Sequence, residues 1–144
     1  MFPSSFAPVD PQAPGEETGT GPRQRRPWRA KFHDALRGLK LGIRGHSSFA
    51  VHFFFAALVG VAGVVMGCSV EEWCLLVFAI GLVLTAELFN SAIEVFFRGL
   101  DPHTQERSWP ALDIAAGAVL TASVTAIVIG TAVFLHRLLV LLGW

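Results

Sequence analysis

Two stretches of the 144-residue chain contain no Lys, Arg, Asp or Glu at all: residues 45–70 and residues 114–136. Runs of that length without charge meet the requirement for crossing ~30 Å of hydrocarbon. Charged residues are scarce overall, at 15% against 53% hydrophobic, and mean hydropathy is +0.55. That balance excludes a soluble globular enzyme of this size and equally a wholly disordered chain. Cysteine is nearly absent. Cys68 and Cys74 allow one pair at most, which excludes a disulfide framework, and neither stands in a metal-ligand spacing. Both read as small apolar residues near a membrane surface.

The formal net charge is zero, but the charges are sorted along the chain. Eight of the eleven Lys and Arg residues lie between positions 23 and 44. Residues 1–27 hold six of the eight prolines and several glycines. Such a segment buries too little apolar surface to offset its ordering entropy, so a disordered tail is expected there. It carries no apolar run of the kind a secretory signal needs. Over residues 28–44 the pattern turns helical: Trp28, Phe32, Leu36, Leu39 and Ile43 recur at intervals of three and four. Arg29, Lys31, Asp34, Arg37, Lys40 and Arg44 take most of the remaining surface. A basic amphipathic helix with a Trp at its edge suits the interface between anionic headgroups and acyl chains, so a membrane rather than a nucleic acid is its expected partner.

Three apolar spans follow, at residues 49–67, 73–97 and 113–135. The expected fold is therefore all-α: an N-terminal surface helix and three transmembrane helices in one membrane domain, residues 28–144. The first connection is acidic, with Glu71 and Glu72. The second, residues 98–112, holds Arg98 and Arg107 and reads as a loop. Basic residues thus gather beside the N-terminal segment and the second loop, which predicts a cytoplasmic N-terminus and an outward C-terminus. Trp28, Trp73 and Trp144 fall where interfacial anchors are expected. Small residues recur four apart at Ala118, Ala122, Ala126 and Gly130, and at Gly63 and Gly67, a spacing that lets helices approach closely. Three short helices enclose little interior, so a homo-oligomer is expected.

The second span is not uniformly apolar. Glu87, Asn90 and Glu94 stand at i, i+3 and i+7, within a ~60° arc of one helical face. A carboxylate inside a bilayer costs several kcal/mol and needs a reason. Polar cross-links between helices would be served more cheaply by Asn alone. Metal coordination and proton transfer remain. Glu94 lies about one turn from the cytoplasmic end of the span and Glu87 ~10 Å deeper. One carboxylate reaches water-soluble ligands and the other meets the head of a lipid. A cation-conducting oligomer is the rival use of such carboxylates. Between residues 73 and 85, however, there is no charge, Asn or Gln, so the polar cluster stops half-way, like a pocket.

The run Glu87-Leu88-Phe89-Asn90-Ser91-Ala92-Ile93-Glu94 closely resembles the Glu-x-x-Asn-(Thr/Ser)-Ala-Ile-Glu signature of the small bacterial membrane diacylglycerol kinase and undecaprenol kinase family. Ala111-Leu112-Asp113-Ile114-Ala115-Ala116-Gly117-Ala118-Val119 is similar to the segment opening that family's third helix. Phe32-His33-Asp34-Ala35-Leu36-Arg37-Gly38 resembles its surface helix, and Phe49-Ala50-Val51-His52 the start of its first span. The resemblance covers the chain from about Phe32 onward. It implies a trimer of three-helix subunits in the bacterial inner membrane, moving the γ-phosphate of ATP, with Mg²⁺, to the hydroxyl of diacylglycerol or undecaprenol. It makes Glu87 the general base, Asn90 its polar partner at the substrate, Glu94 a magnesium and nucleotide ligand, and Asp113 a nucleotide contact. Hard oxygen ligands suit Mg²⁺, and phosphoryl transfer needs chiefly positioning and charge neutralisation. Asp113 also reads as favourable charge at a helix N-terminus.

The chain departs from the family pattern on the nucleotide side. His46 stands where a second metal-binding glutamate is usual, and imidazole is a poor Mg²⁺ ligand. Leu112 replaces a phosphate-binding lysine, Arg98 an aspartate, and Ser48 and Ala50 replace Asn and Arg. Arg98 and Arg107 are candidates for the missing positive charge. His52, four residues into the first span, reads equally as an interfacial side chain and as a site residue. These departures motivate a rival expectation, a catalytically weak or inactive lipid-binding member of the same fold.

Overall fold

A computed structural model describes residues 27–44 and 48–143. Four helices account for nearly all of them: α1 (Trp28–Arg44), α2 (Ser48–Val65), α3 (Val70–Arg98) and α4 (Pro102–Leu141). Residues 1–26 of the expected tail, His46 and the anchor Trp144 lie outside the described residues. The chain is an all-α membrane protein in which α2, α3 and α4 are each long and apolar enough to cross a bilayer. α3 and α4 form the main antiparallel pair, while α2 and α1 pack against α3 over shorter contacts.

Helix α1 starts where the Pro27 carbonyl accepts from the N–H groups of Ala30 (3.0 Å) and Lys31 (3.3 Å). Every residue of α1 is at least partly exposed, and its apolar stripe of Trp28, Phe32, Leu36 and Leu39 lies open. An uncovered apolar stripe opposite a basic face is the arrangement an interfacial helix requires. Its far end is tied to the bundle at Gly42, where a Cβ would stand 2.8 Å from Cδ2 of Leu88 on α3.

The α2–α3 turn is built from capping chemistry. Gly67 takes a positive φ of 63°, which glycine adopts at no steric cost. Ser69 then caps α3: its hydroxyl accepts from the N–H of Glu72, whose carboxylate accepts in return from the N–H of Ser69 at 2.6 Å. Arg137, near the end of α4, donates to the Met66 carbonyl at 3.1 Å and to that of Gly67, and lies 3.8 Å from Glu72. All three membrane helices are thereby joined at this end. Trp73 sits at this same end of the bundle. Its ring packs on Gly63 of α2, where a Cβ would meet it at 3.0 Å.

The α3–α4 end departs from the expected loop. After a short turn, α4 begins at Pro102, with Asp101 as its cap and proline in the first turn, where the missing N–H costs nothing. It runs for 40 residues through Pro110, ~60 Å at 1.5 Å per residue and twice a hydrocarbon core. The charged segment containing Glu106 and Arg107 is thus the first part of this helix. Gln105 folds back to donate to the Phe97 and Leu100 carbonyls, satisfying the end of α3. The Trp109 ring packs against Phe97 at 5.2 Å.

Candidate active site

One stripe of α3 faces inward: Glu72, Leu76, Ala79, Val83, Glu87 and Ser91, spaced by three and four, are all buried. Glu87 is only 3% exposed. In hydrocarbon a carboxylate must find partners inside the protein, and here they come from α2. The Ser48 hydroxyl donates to Oε1 of Glu87, and Nε2 of His52 lies 3.8 Å from Oε2. Ser48 and His52 are one helical turn apart, so α2 offers both to a single carboxylate. His52 therefore belongs to the site. Ser48, a departure when read against the family pattern, is the residue in hydrogen-bond contact with Glu87.

Further along α3 the polar groups form a ladder. Asn90 donates its amide to Oε1 of Glu94 at 3.0 Å, and Arg98 donates to Oε2 at 3.1 Å. These are i, i+4 contacts that the helix supplies by itself. Glu94 is about one-third exposed and Arg98 largely so, with Glu94 on the α3–α4 side of Glu87. Ser91, one turn beyond Glu87, is 1% exposed, and its hydroxyl has no hydrogen-bond partner among the described residues.

Between α2, α3 and α4 lies a mainly apolar chamber of about 440 Å³. His52 lines it together with Phe55, Val83, Leu84, Ile127 and Phe134. His52 lines the chamber and stands 3.8 Å from the Glu87 carboxylate, which itself lies outside the lining. A mainly apolar volume with a few polar side chains (His52, Ser123 and Thr131) in its lining suits a ligand with a hydrocarbon body and a polar head.

The remaining sequence candidates are not gathered here. Asp113 lies exposed about three turns inside α4, because that helix starts at Asp101 rather than near Leu112. Charge at a helix N-terminus therefore does not explain it. Arg107 is exposed on the same helix. Neither makes a hydrogen bond or ion pair among the described residues. Arg98 does carry a positive charge to the site, engaged with Glu94. Among the described residues no three His, Cys, Asp or Glu side chains converge as a metal cage. Ser48 and Ser91 escaped sequence reasoning. Their signal was weak: a hydroxyl on an otherwise apolar helix face.

Fold and site together define a helical membrane protein with one deeply buried carboxylate, a second nearer a membrane face, and an apolar chamber between the helices. Comparison with known proteins makes the class specific. Residues 33–134 match the prokaryotic diacylglycerol kinase family. The undecaprenol kinase of Bacillus subtilis (strain 168) is 32% identical over 107 residues, covering 74% of this chain and 87% of the relative. No solved structure matches the chain. The chain belongs to the prokaryotic diacylglycerol kinase family and is, in class, a membrane lipid kinase.

Proposed function

We propose that this protein transfers the terminal phosphate of ATP to the hydroxyl of a lipid alcohol, undecaprenol or diacylglycerol, at the cytoplasmic face of the bacterial inner membrane. The observation that carries this reading is Glu87: a carboxylate buried within a membrane helix and held by Ser48 beside His52, a residue that lines an apolar chamber. In the reaction the lipid oxygen attacks the γ-phosphorus, the bond from that phosphorus to the bridging oxygen of ADP breaks, and the hydroxyl proton passes to the Glu87 carboxylate. Asn90, three residues from Glu87 on the same helix, is assigned to the lipid head. The hydrocarbon of the substrate takes the chamber.

Glu94 fits a magnesium-binding role. It is a hard oxygen donor, accessible near the membrane face, and Asn90 beside it offers an amide oxygen. Mg²⁺ is commonly held by one or two carboxylates, with phosphates and water completing its shell, so a three-residue protein cage is not required. Bound there, it would neutralise charge on the phosphates of ATP. Arg98, largely exposed and paired with Glu94, is placed to contact the same phosphates. Asp113 and Arg107, exposed on α4, are assigned to the outer margin of the nucleotide site.

The N-terminus and the α3–α4 turn are placed in the cytoplasm, where the basic residues concentrate. A homotrimer is proposed from the family resemblance, with the exposed apolar faces of α2, α3 and α4 available to lipid or to neighbouring subunits. The direct test is purified protein with labelled ATP and a panel of lipid alcohols, with and without Mg²⁺. Label should enter at least one lipid, only with the metal present. Label in none of them, under conditions where the protein remains folded, would contradict the proposal.

A further inference from the structure

The chemistry assigned to Glu87 depends on where its two oxygens point, and a glutamate on an apolar helix has three side-chain torsions to settle. Nothing on α3 itself holds them: Asn90 and Arg98 are engaged with Glu94, and the Ser91 hydroxyl makes no bond. The contacts to Glu87 come from α2, 39 residues away in sequence for Ser48. Ser48 donates to Oε1, and the His52 ring stands 3.8 Å from Oε2. That separation is longer than a hydrogen bond, so the ring restrains the carboxylate as a close polar neighbour. The His52 side chain is one-fifth exposed and Glu87 nearly enclosed, so the pair meets in a space with little competing water. His52 also lines the apolar chamber.

We infer that Ser48 and His52 are positioning residues that hold the Glu87 carboxylate toward the lipid hydroxyl, making the docking of α2 a condition of catalysis. The inference rests on the reading of Glu87 as the general base. Ser48 occupies one oxygen and sets the carboxylate plane; His52 restrains the other and leaves a lone pair for the lipid hydroxyl. Without them the carboxylate rotates among its torsional wells and spends less time aligned with the attacking hydroxyl. Misplacement of a reacting group by about 1 Å can cost on the order of 10²-fold in rate. The loss should appear in kcat, because the contact each residue makes at the site is with the Glu87 carboxylate.

The test compares Ser48→Ala, His52→Leu, His52→Gln, Glu87→Gln and the double variant His52→Leu/Glu87→Gln, each purified, checked for assembly and melting temperature, and assayed with labelled ATP and a lipid alcohol that the wild type phosphorylates. Ser48→Ala and His52→Leu should lower kcat, the latter by about 10- to 100-fold, with KM for ATP unchanged. His52→Gln keeps a donor at the same reach and should recover most of the loss. The double variant should be no slower than Glu87→Gln alone, because positioning is worthless once the base is gone. Wild-type kcat in Ser48→Ala and His52→Leu, alongside a crippled Glu87→Gln, would overturn this inference and leave the base assignment standing. A further loss in the double variant would overturn it too, by showing that His52 acts independently of Glu87. An unimpaired Glu87→Gln would instead overturn the reading on which the inference rests.

Discussion

At the scale of single residues, the site is a set of polar groups placed where their desolvation is costly. Ser91 shows this most simply. Its hydroxyl is buried without a partner among the described residues, and an unsatisfied buried donor costs about 1–3 kcal/mol. Removing it should therefore stabilise the protein: Ser91→Ala is expected to raise the thermal midpoint, measured by circular dichroism in detergent. A lower midpoint would mean that the hydroxyl is satisfied after all. Much of this residue-level picture was legible in the sequence. Glu87, Asn90 and Glu94 share a helical face by arithmetic alone, and no apolar helix carries two carboxylates without cause. The partnership with Ser48 was not legible, because helical periodicity places neighbours three and four residues apart and says nothing about which helix lies opposite. The same limit left His52 undecided between an interfacial residue and a site residue.

At the scale of elements, the informative difference is the start of α4. Two prolines and a cluster of charges between Arg98 and Leu112 read as a loop. The structure makes most of that segment helical, because Asp101 caps it and Pro102 occupies the first turn, where proline is favourable. Asp-Pro was the available signal, outweighed by the charge around it. Asp101 also carries a pH dependence. The hydroxyl and then the N–H of Thr104 donate to its carboxylate, holding its pKa below the ordinary aspartate value. A depressed folded pKa gives stability that is fully present above the unfolded value and lost as pH falls through the folded one. Wild type should thus melt above Asp101→Ala at neutral pH, with the gap closing below about pH 4. A gap that persists unchanged into acid would show that the carboxylate charge is not what caps α4.

At the scale of the whole molecule, the helical membrane fold followed from two charge-free runs and one amphipathic segment, and the structure adds how the ends are fastened. Arg137 joins α4 to the α2–α3 turn at one end; Gln105 and Trp109 fasten α4 to α3 at the other. The sidedness of the proposed reaction can be read directly. In a background lacking Cys68 and Cys74, a cysteine at the exposed position 71 should react with an impermeant reagent added outside intact cells, and one at position 103 only after the membrane is opened. The reverse pattern would put Glu94 on the wrong side for cytoplasmic ATP.

The central claim is that the buried carboxylate of Glu87 takes the proton as phosphate moves from ATP to a lipid hydroxyl. Single-turnover transfer of labelled phosphate, comparing wild type with Glu87→Gln in the same membrane mimetic, tests it most directly. The exchange preserves shape and hydrogen bonding but removes the base, so transfer should slow by about 10²-fold or more while assembly and ATP binding stay unchanged. Transfer at close to the wild-type rate by a correctly assembled Glu87→Gln protein would contradict it.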